Sequence, residues 1–221
     1  MDWKKEYANK IVSVEEAVSH VQSGNRIVFT HACGEAQALT EELVRQADRL
    51  ENVEIVHMVA MGKAPYCQPG MEKHFRHNAL FVGGSTRKAV EEGRGDYTPC
   101  FFHEIPKLFT DGTLPVDVAF LQLSEPDENG VCSYGVSVDY TQPAAEAAKL
   151  VIAQINKNMP YTYGNGINLK DIDYIVEKDE PLIELQPPKI GETEHKIGEY
   201  VASLIHDGDT LQLGIRNSTD A

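Results

Sequence analysis

The sequence predicts an α/β protein whose open, mainly parallel sheet is flanked by helices. Short apolar runs rich in β-branched and aromatic residues alternate with helical patterns along almost the whole chain, which is typical of a parallel sheet covered on both faces. With 221 residues, 42% of them hydrophobic, the chain has enough apolar material for a large core. It carries neither an internal repeat nor a low-complexity tract, so one α/β arrangement accounts for the pattern.

Charge and cysteine usage narrow the class of protein. The formal net charge is −14, which argues against nucleic acid or an anionic membrane as the main partner. The four cysteines are far apart and form no C-x-x-C pair, so neither a zinc site nor a disulfide framework is expected. Residues 1–7 form no apolar signal segment, and no apolar run reaches the ~18 residues of a membrane span. We therefore expect a cytoplasmic protein without a metal.

The first half of the chain predicts four strands with helices between them. Ser13 and Glu16 form a capping box, so a helix is expected to begin after Ser13 and to end at Gly24. Apolar residues between positions 39 and 50 recur at helical spacing and predict a second helix. Ser85 is expected to cap a further helix, 91–96 to be a loop, and 105–110 to be a short helix. The predicted strands are 26–30, 53–60, 79–82 and 100–105.

Residues 116–155 predict a strand, a polar turn, a surface of small residues, a helix and a strand. The first strand is 116–123, and Pro126, Asp127, Asn129 and Gly130 supply the turn chemistry. The helix is expected near Pro143 and the next strand at 150–155. An ordinary β-turn-β-α unit with packing glycines explains this pattern on physical grounds alone.

The last third predicts fewer regular elements. A loop is expected over 161–168, followed by a strand within 172–177 and an extended, proline-rich stretch over 181–188. Apolar residues at helical spacing predict a helix over 190–205, and the apolar run 210–215 predicts a last strand.

Several predicted strands are followed at their carboxyl ends by glycine, serine or histidine. Ligands of open α/β sheets bind beyond these ends, so we predict a site there. The turn at Gly83 and Gly84 lacks both common phosphate-loop patterns, and a tight turn with a serine cap explains it equally well. His74 and His77 could share a helical face, but a solvated pair is favoured over a metal site. The strand-end segments are His31-Ala-Cys-Gly, Met61-Gly, Gly83-Gly-Ser-Thr, Ser124 and Gly214.

Nucleophilic cysteine or serine chemistry finds little support in the sequence. Cys33 and Cys132 are candidate nucleophiles, but no ordered pattern of cysteine, histidine and acid accompanies them, and no G-x-S-x-G elbow is present. His103 follows two phenylalanines near a predicted strand end, where a histidine is more often bonded to backbone than catalytic.

The amino-acid sequence of the central segment resembles that of a known family. Ser124-Glu-Pro-Asp-Glu-Asn-Gly-Val-Cys-Ser-Tyr-Gly-Val-Ser is similar to a segment of the acetyl-CoA hydrolase/transferase family, and within it to 4-hydroxybutyrate and butyrate CoA-transferases. The resemblance extends over about residues 1–215. Further matching segments are Met1-Asp-Trp-Lys-Lys, His57-Met-Val-Ala-Met-Gly, Ser85-Thr-Arg, Phe101-Phe-His-Glu-Ile-Pro, Pro187-Pro-Lys-Ile-Gly-Glu and the stretch from Ala202 to Ile215.

The resemblance implies a CoA-transferase (NagB/RpiA-like) domain and a covalent transfer reaction. Family members move CoA from an acyl-CoA such as acetyl-CoA to a carboxylate such as 4-hydroxybutyrate or butyrate. A glutamate attacks the thioester, and the reaction proceeds through an acyl-glutamyl anhydride and a glutamyl-CoA thioester. Coenzyme A is a substrate, no metal is implied, and full-length members are expected to be cytoplasmic homodimers.

The resemblance also implies site residues and a domain boundary. Gln212, Gly214 and Ile215 match the glycine loop that stabilises oxyanions. The family glutamate lies in a Gly-x-His-x-Glu segment that has no counterpart within these 221 residues, and Glu35, Glu104 and Glu125 do not match it. The substrate-pocket candidates are His57, Met58, Met61, Ser85, Thr86 and Arg87.

We therefore expect an N-terminal domain over 1–215, a tail over 216–221 outside the family pattern, and no second catalytic domain in this chain. The isolated chain is expected to be inactive. Two alternatives stay open at this point: an acetyl-CoA hydrolase on the same scaffold, and a non-catalytic half that docks with a separately encoded catalytic chain.

Overall fold

The computed structural model describes residues 2–186 and 189–212. The chain divides into two compact units, Met1–Ile183 and Glu184–Ala221. The first unit holds both sheets, and the second holds one helix. Among the described residues, no helix has both the length and the apolar character needed to cross a membrane.

The first unit is built on a seven-stranded sheet in which every pair of neighbours is parallel. The strand order is β4-β3-β2-β1-β5-β7-β9, and a separate antiparallel pair joins β6 to β8. The strands are β1 Arg26–Phe29, β2 Val53–His57, β3 Phe75–Ala79, β4 Gly95–Tyr97, β5 Val118–Leu123, β6 Val131–Ser133, β7 Leu150–Ile155, β8 Gly166–Asn168 and β9 Tyr174–Glu177.

Helices flank this sheet, and single 3-10 turns interrupt the connections. The 3-10 turns are Ala47–Arg49, Pro65–Cys67, Phe102–Glu104 and Leu169–Asp171. The helices are α1 Trp3–Glu6, α2 Val14–Ser19, α3 Gln37–Arg45, α4 Arg87–Glu91, α5 Ile105–Thr110, α6 Thr141–Ala147 and, in the second unit, α7 Glu192–Ala202.

The core lies on both faces of the sheet, as the continuous apolar strands predict. All six residues of β5 are buried. In β1, Ile27 and Phe29 pack in the cluster that includes α2 and α3, whereas Val28 packs in the cluster that includes α5 and α6. The predicted α/β architecture with a parallel sheet and helices on its faces is thus confirmed.

Two predicted strands were placed wrongly. The third strand is Phe75–Ala79 instead of 79–82; His77 therefore lies on a strand, where its Nδ1 lies 3.2 Å from the Ile55 carbonyl oxygen, and not on a helical face. Residues 100–105 form no strand either. They include the 3-10 turn Phe102–Glu104, which the Glu104 carboxylate closes by accepting from the Phe101 backbone N–H.

Smaller differences follow from local hydrogen bonds. Gly95 and Asp96, at the end of the predicted loop 91–96, belong to β4, and Gly166–Asn168, within the predicted loop 161–168, pairs with β6. Ser85 does not cap α4, because its hydroxyl donates to the Ala60 carbonyl oxygen. Ser13 does cap α2, as predicted, but that helix ends at Ser19 instead of Gly24.

In the second unit, the predicted helix over 190–205 is shorter, running from Glu192 to Ala202. Residues 210–212 form no strand, and the rest of the predicted strand 210–215 lies outside the described residues.

Candidate functional site

The candidate site lies beyond the carboxyl ends of β1 and β5. Strand β1 is flanked by β2, which follows it in sequence, and by β5, where the order of the sheet reverses direction. This is the switch point at which open α/β sheets bind ligands. Thr30, the first residue after β1, is held against β5, because both its backbone N–H and its hydroxyl donate to the Phe120 carbonyl oxygen. His31 therefore projects from a fixed position at the switch point.

The backbone after His31 is held in an unfavourable conformation. Ala32 has a φ of 53°, the left-handed region that non-glycine residues rarely occupy. Its N–H donates to the Val59 carbonyl oxygen (3.2 Å), and it forms an isolated bridge with Ala60. The loop after β1 is thereby drawn onto the loop after β2. Backbone strain of this kind is concentrated at functional sites.

His31 is held by a carboxylate from the loop before α6. Its Nδ1 lies 2.8 Å from Oδ2 of Asp139. The Ser137 hydroxyl donates to the same oxygen (2.8 Å), and the Tyr140 backbone N–H donates to Oδ1 (2.6 Å). Burial alone would raise the pKa of Asp139, but the hydrogen bonds from His31, Ser137 and Tyr140 outweigh it and hold that pKa below its ordinary value. Asp139 is therefore a carboxylate near neutral pH.

Two aromatic rings lie against the imidazole of His31. The ring centroids of Tyr140 and Phe102 lie 5.5 and 5.7 Å from that of His31. The Tyr140 hydroxyl donates to the Phe29 carbonyl oxygen (2.9 Å) and accepts the Met58 backbone N–H (3.3 Å), so this ring connects β1 with the loop after β2. Phe102 is half-exposed. The imidazole thus contacts one buried tyrosine and one half-exposed phenylalanine.

The second ring nitrogen of His31 has no hydrogen-bond partner among the described residues, although it is buried. Buried polar atoms are nearly always paired in native proteins. An imidazole whose Nδ1–H bonds a carboxylate offers Nε2 to a ligand, as an acceptor when neutral and as a donor when protonated. His31 is the residue of this site best placed to bind a substrate oxygen.

Glu35 forms a second polar centre in the loop after β1. Its side chain is 2% exposed, and its Oε2 has no partner among the described residues. Burial raises the pKa of this carboxyl. Gly62 makes room for it, because a Cβ there would lie 2.6 Å from Oε2. The carboxyl borders a cavity of about 80 Å³ whose other lining residues are Gln37, Thr40, Glu41, Gly62, Lys63 and Pro65.

The substrate-pocket residues predicted at the end of β2 and in the following loop differ in burial. His57, the last residue of β2, is completely buried, and burial together with the nearby His77 and His31 rings holds its pKa well below the ordinary value. Met58 and Met61 are half-buried in the following loop. The two methionines, and not His57, are thus near the surface of the site.

The predicted residues after β3 join the same edge. Ser85 is exposed and its hydroxyl donates to the Ala60 carbonyl oxygen, which brings the loops after β2 and β3 together. Thr86 is buried with its hydroxyl unpaired among the described residues. Arg87 is exposed at the first position of α4.

The predicted glycine loop is described only in part. Gln212 is exposed in the second compact unit and belongs to no regular element. Gly214 and Ile215 lie outside the described residues.

The sequence did not single out Asp139, Ser137 or Tyr140. Asp139 and His31 are 108 residues apart, and no local pattern connects an aspartate before a helix with a histidine after a strand. Burial raises the pKa of Cys132 to about 12, so the thiol is protonated and poorly suited to act as a nucleophile. Within the described part of the chain, no group of three or more metal-ligating side chains is arranged to hold an ion.

A parallel sheet with a polar cluster beyond its switch point defines a ligand-binding α/β domain. The model of the acetyl-CoA hydrolase/transferase N-terminal domain matches residues 1–186, and the chain belongs to this family.

Individual relatives show how much of the family protein this chain spans. It is 60% identical over 222 residues to the 4-hydroxybutyrate coenzyme A transferase of Clostridium kluyveri, covering 100% of this chain and 52% of the relative. The crystal structure of a 4-hydroxybutyrate CoA-transferase from Porphyromonas gingivalis matches with a TM-score of 0.83 at 39% identity, over 99% of this chain and 51% of that chain. That of RipA from Yersinia pestis matches with a TM-score of 0.92 at 26% identity, over 100% and 54%. The chain spans about half the length of these relatives.

Proposed function

We propose that this chain is the N-terminal half of an acyl-CoA:carboxylate CoA-transferase. It would exchange CoA between a short-chain acyl-CoA, namely acetyl-CoA, and a carboxylate such as 4-hydroxybutyrate or butyrate. The observation that carries the proposal is the 60% identity, over the whole chain, to a 4-hydroxybutyrate coenzyme A transferase. The proposed domain extends over 1–215, with 216–221 as a tail outside it.

In this proposal, the switch-point cluster binds substrate and a second domain supplies the nucleophile. Both the carboxylate and the thioester carbonyl present oxygen acceptors, and Nε2–H of His31 would donate to one of them when the ring carries both protons. Burial raises the pKa of Glu35, but neither Glu35 nor any other glutamate of residues 1–221 lies in a Gly-x-His-x-Glu segment. The glutamate that forms the glutamyl-CoA thioester is therefore assigned to the second domain.

The remaining site residues complete the pocket in this proposal. Met58 and Met61, with Ser85, Thr86 and Arg87, would line it, and buried His57 would support them from below. Gln212, Gly214 and Ile215 would form the oxyanion loop. Coenzyme A is a substrate and no metal takes part. The full enzyme would be a cytoplasmic homodimer.

A chimera tests this function. The chain is fused to the C-terminal half of the C. kluyveri transferase and incubated with acetyl-CoA and either 4-hydroxybutyrate or butyrate. Mass spectrometry then follows the new acyl-CoA. We expect transfer by the chimera and none by the chain alone. Release of free CoA without a new acyl-CoA would favour a hydrolase, and a chimera that folds but forms neither product would contradict the proposal.

A matched pair of histidine variants tests the role of the switch point in that chimera. His31→Gln is expected to lower the transfer rate by about 100-fold, because it removes the ring that binds the substrate oxygen. His20→Gln serves as the control, since His20 is exposed and stacks on Tyr174. Equal rates for the two variants would remove His31 from the site.

A further inference from the structure

We propose that Asp139 is a positioning residue, which fixes the His31 imidazole with its proton on Nδ1 and leaves Nε2 for the ligand. The catalytic consequence of this arrangement rests on the proposed function, but the arrangement itself does not. Three independent features of the described structure support it.

The first feature is the direction of the hydrogen bond. Asp139 accepts hydrogen bonds from the Ser137 hydroxyl and the Tyr140 backbone N–H, and an aspartate that accepts such bonds is ionised near neutral pH. A carboxylate accepts hydrogen bonds and donates none. The Nδ1 of His31, 2.8 Å from Oδ2, must therefore carry the proton in this contact. The neutral ring is then the Nδ1–H tautomer, with a lone pair on Nε2.

The second feature is that Asp139 is itself held in place. Ser137 donates to Oδ2 and the Tyr140 backbone N–H donates to Oδ1, so both oxygens are fixed and the carboxylate cannot rotate away without losing a bond. Ser137 is buried, and a Cβ added at Gly34 would lie 3.3 Å from its Cβ. The loop that carries Asp139 is thus packed directly against the loop that carries His31.

The third feature is the state of the other ring nitrogen. Nε2 of His31 is buried and makes no hydrogen bond to any described residue. Tyr140 and Phe102 lie against the ring and restrict its rotation. A ring held at Nδ1 and in contact with two aromatic side chains presents Nε2 in one orientation, as an acceptor when the ring is neutral and as a donor to a substrate oxygen when it is protonated.

This arrangement would influence the ligand in two ways. It disfavours the neutral tautomer that carries its proton on Nε2, because the Nδ1 lone pair of that tautomer would face the Asp139 carboxylate. It also stabilises positive charge on the ring when a substrate carboxylate or a developing oxyanion binds at Nε2, as a carboxylate behind a catalytic imidazole does.

The tautomer of His31 can be measured on the chain as it exists. A long-range ¹H–¹⁵N correlation spectrum of the histidine-labelled chain at pH 8 separates the two neutral tautomers of each ring. His31→Gln assigns the His31 signals among the eight histidines. His74 is the internal reference, because its Nδ1 lies 2.8 Å from the Leu50 carbonyl oxygen and must carry a proton.

We expect the wild-type chain to show the Nδ1–H pattern for His31. Asp139→Asn is expected to shift it to a mixture or to the Nε2–H form, since an asparagine amide can donate to Nδ1. Ser137→Ala keeps the carboxylate and should leave the pattern unchanged. Asp127→Asn is the matched control, because Asp127 also accepts backbone N–H bonds but belongs to another turn.

An Nε2–H pattern for His31 in the wild-type chain would overturn the proposal, whatever the Asp139 variant shows. A folded Asp139→Asn chain with an unchanged His31 pattern would overturn it as well. In the active chimera, Asp139→Asn is expected to reduce the transfer rate at least tenfold. Failure of the unmodified chimera contradicts the proposed function, whereas a wrong tautomer contradicts only the positioning role.

Discussion

His31 and His57 stand at the carboxyl ends of neighbouring strands, yet their surroundings differ sharply. His31 contacts the Asp139 carboxylate and lies beside half-exposed Phe102. His57 is completely buried, and its Nδ1 lies 3.5 Å from the Tyr66 hydroxyl. Its pKa is well below the ordinary value because burial disfavours the charged ring. The carboxylate partner and access to the site, and not the position at a strand end, distinguish the proposed ligand-binding histidine His31 from the core histidine His57.

The largest expected effect concerns the buried histidines, which should make the free energy of unfolding depend on pH. Burial lowers the pKa of His77 to about 4 and that of His57 well below 6.5. The unfolded chain therefore binds more protons than the folded chain below about pH 6.5, and stability is lost as the pH falls. Between pH 7 and 5, His77 alone should reduce the free energy of unfolding by about 2 kcal/mol, and His57 adds to this loss.

Urea unfolding followed by the fluorescence of Trp3, the chain's one tryptophan, measures this loss. His77→Gln should flatten the dependence of stability on pH, whereas the exposed His103→Gln should retain the wild-type slope. A wild-type chain equally stable at pH 7 and pH 5 would contradict the assignment of His57 and His77 as neutral core residues.

The next largest loss of stability is expected at Tyr140, whose hydroxyl connects β1 with the loop after β2. Tyr140→Phe removes the hydroxyl that donates to the Phe29 carbonyl oxygen and accepts the Met58 N–H. Leaving such buried groups unpaired costs about 2 kcal/mol of stability. Tyr163→Phe, at a side chain that is 99% exposed, should change stability by less than about 0.5 kcal/mol. Equal losses for the two variants would show that the Tyr140 hydroxyl does not connect β1 with the loop after β2.

Glu35 provides a test with the opposite dependence on pH. Burial raises the pKa of this carboxyl above its unfolded value, so the stability that it contributes is present at low pH and is lost as the pH rises through the folded pKa. Glu35→Gln should be more stable than wild type by about 1 kcal/mol at pH 8, and the gain should disappear at low pH. Glu41→Gln, at an exposed residue of the same cavity, is the control. A loss of stability at pH 8 in Glu35→Gln would mean that the carboxylate has a favourable partner.

The smallest effect is expected at Ser137. Ser137→Ala removes one of the hydrogen bonds to Asp139 Oδ2 but leaves those from His31 and Tyr140. Thermal unfolding should show a loss below about 1 kcal/mol. A loss as large as that of Tyr140→Phe would mean that Ser137, and not the carboxylate, holds the loop together.

The sequence predicted the α/β class because the central strands β1, β2, β5 and β7 are mostly apolar. It misplaced β3 and missed β4 because their residues are polar and are satisfied only in the folded sheet. Asn78 on β3 bonds Glu54 and Thr98, and Arg76 pairs with Asp96 on β4. Such pairs depend on tertiary neighbours that no local pattern reveals.

The candidate site, like the fold, was predicted from the sequence only in part. Glycine, serine and histidine after the strands marked the correct edge of the sheet, since the carboxyl ends of parallel strands lie together. They did not distinguish His31 from His57, because burial depends on what packs above each residue. The contact between His31 and Asp139 spans 108 positions and required the three-dimensional structure.

The measurement that tests the central claim most directly is the position of the covalent CoA adduct in the active chimera. The chimera is incubated with acetyl-CoA, digested, and its peptides are searched by mass spectrometry for a glutamyl-CoA thioester. If residues 1–221 bind substrate and the second domain supplies the nucleophile, the adduct will lie on a glutamate of the grafted half. An adduct on a glutamate of residues 1–221, Glu35 included, would contradict the account.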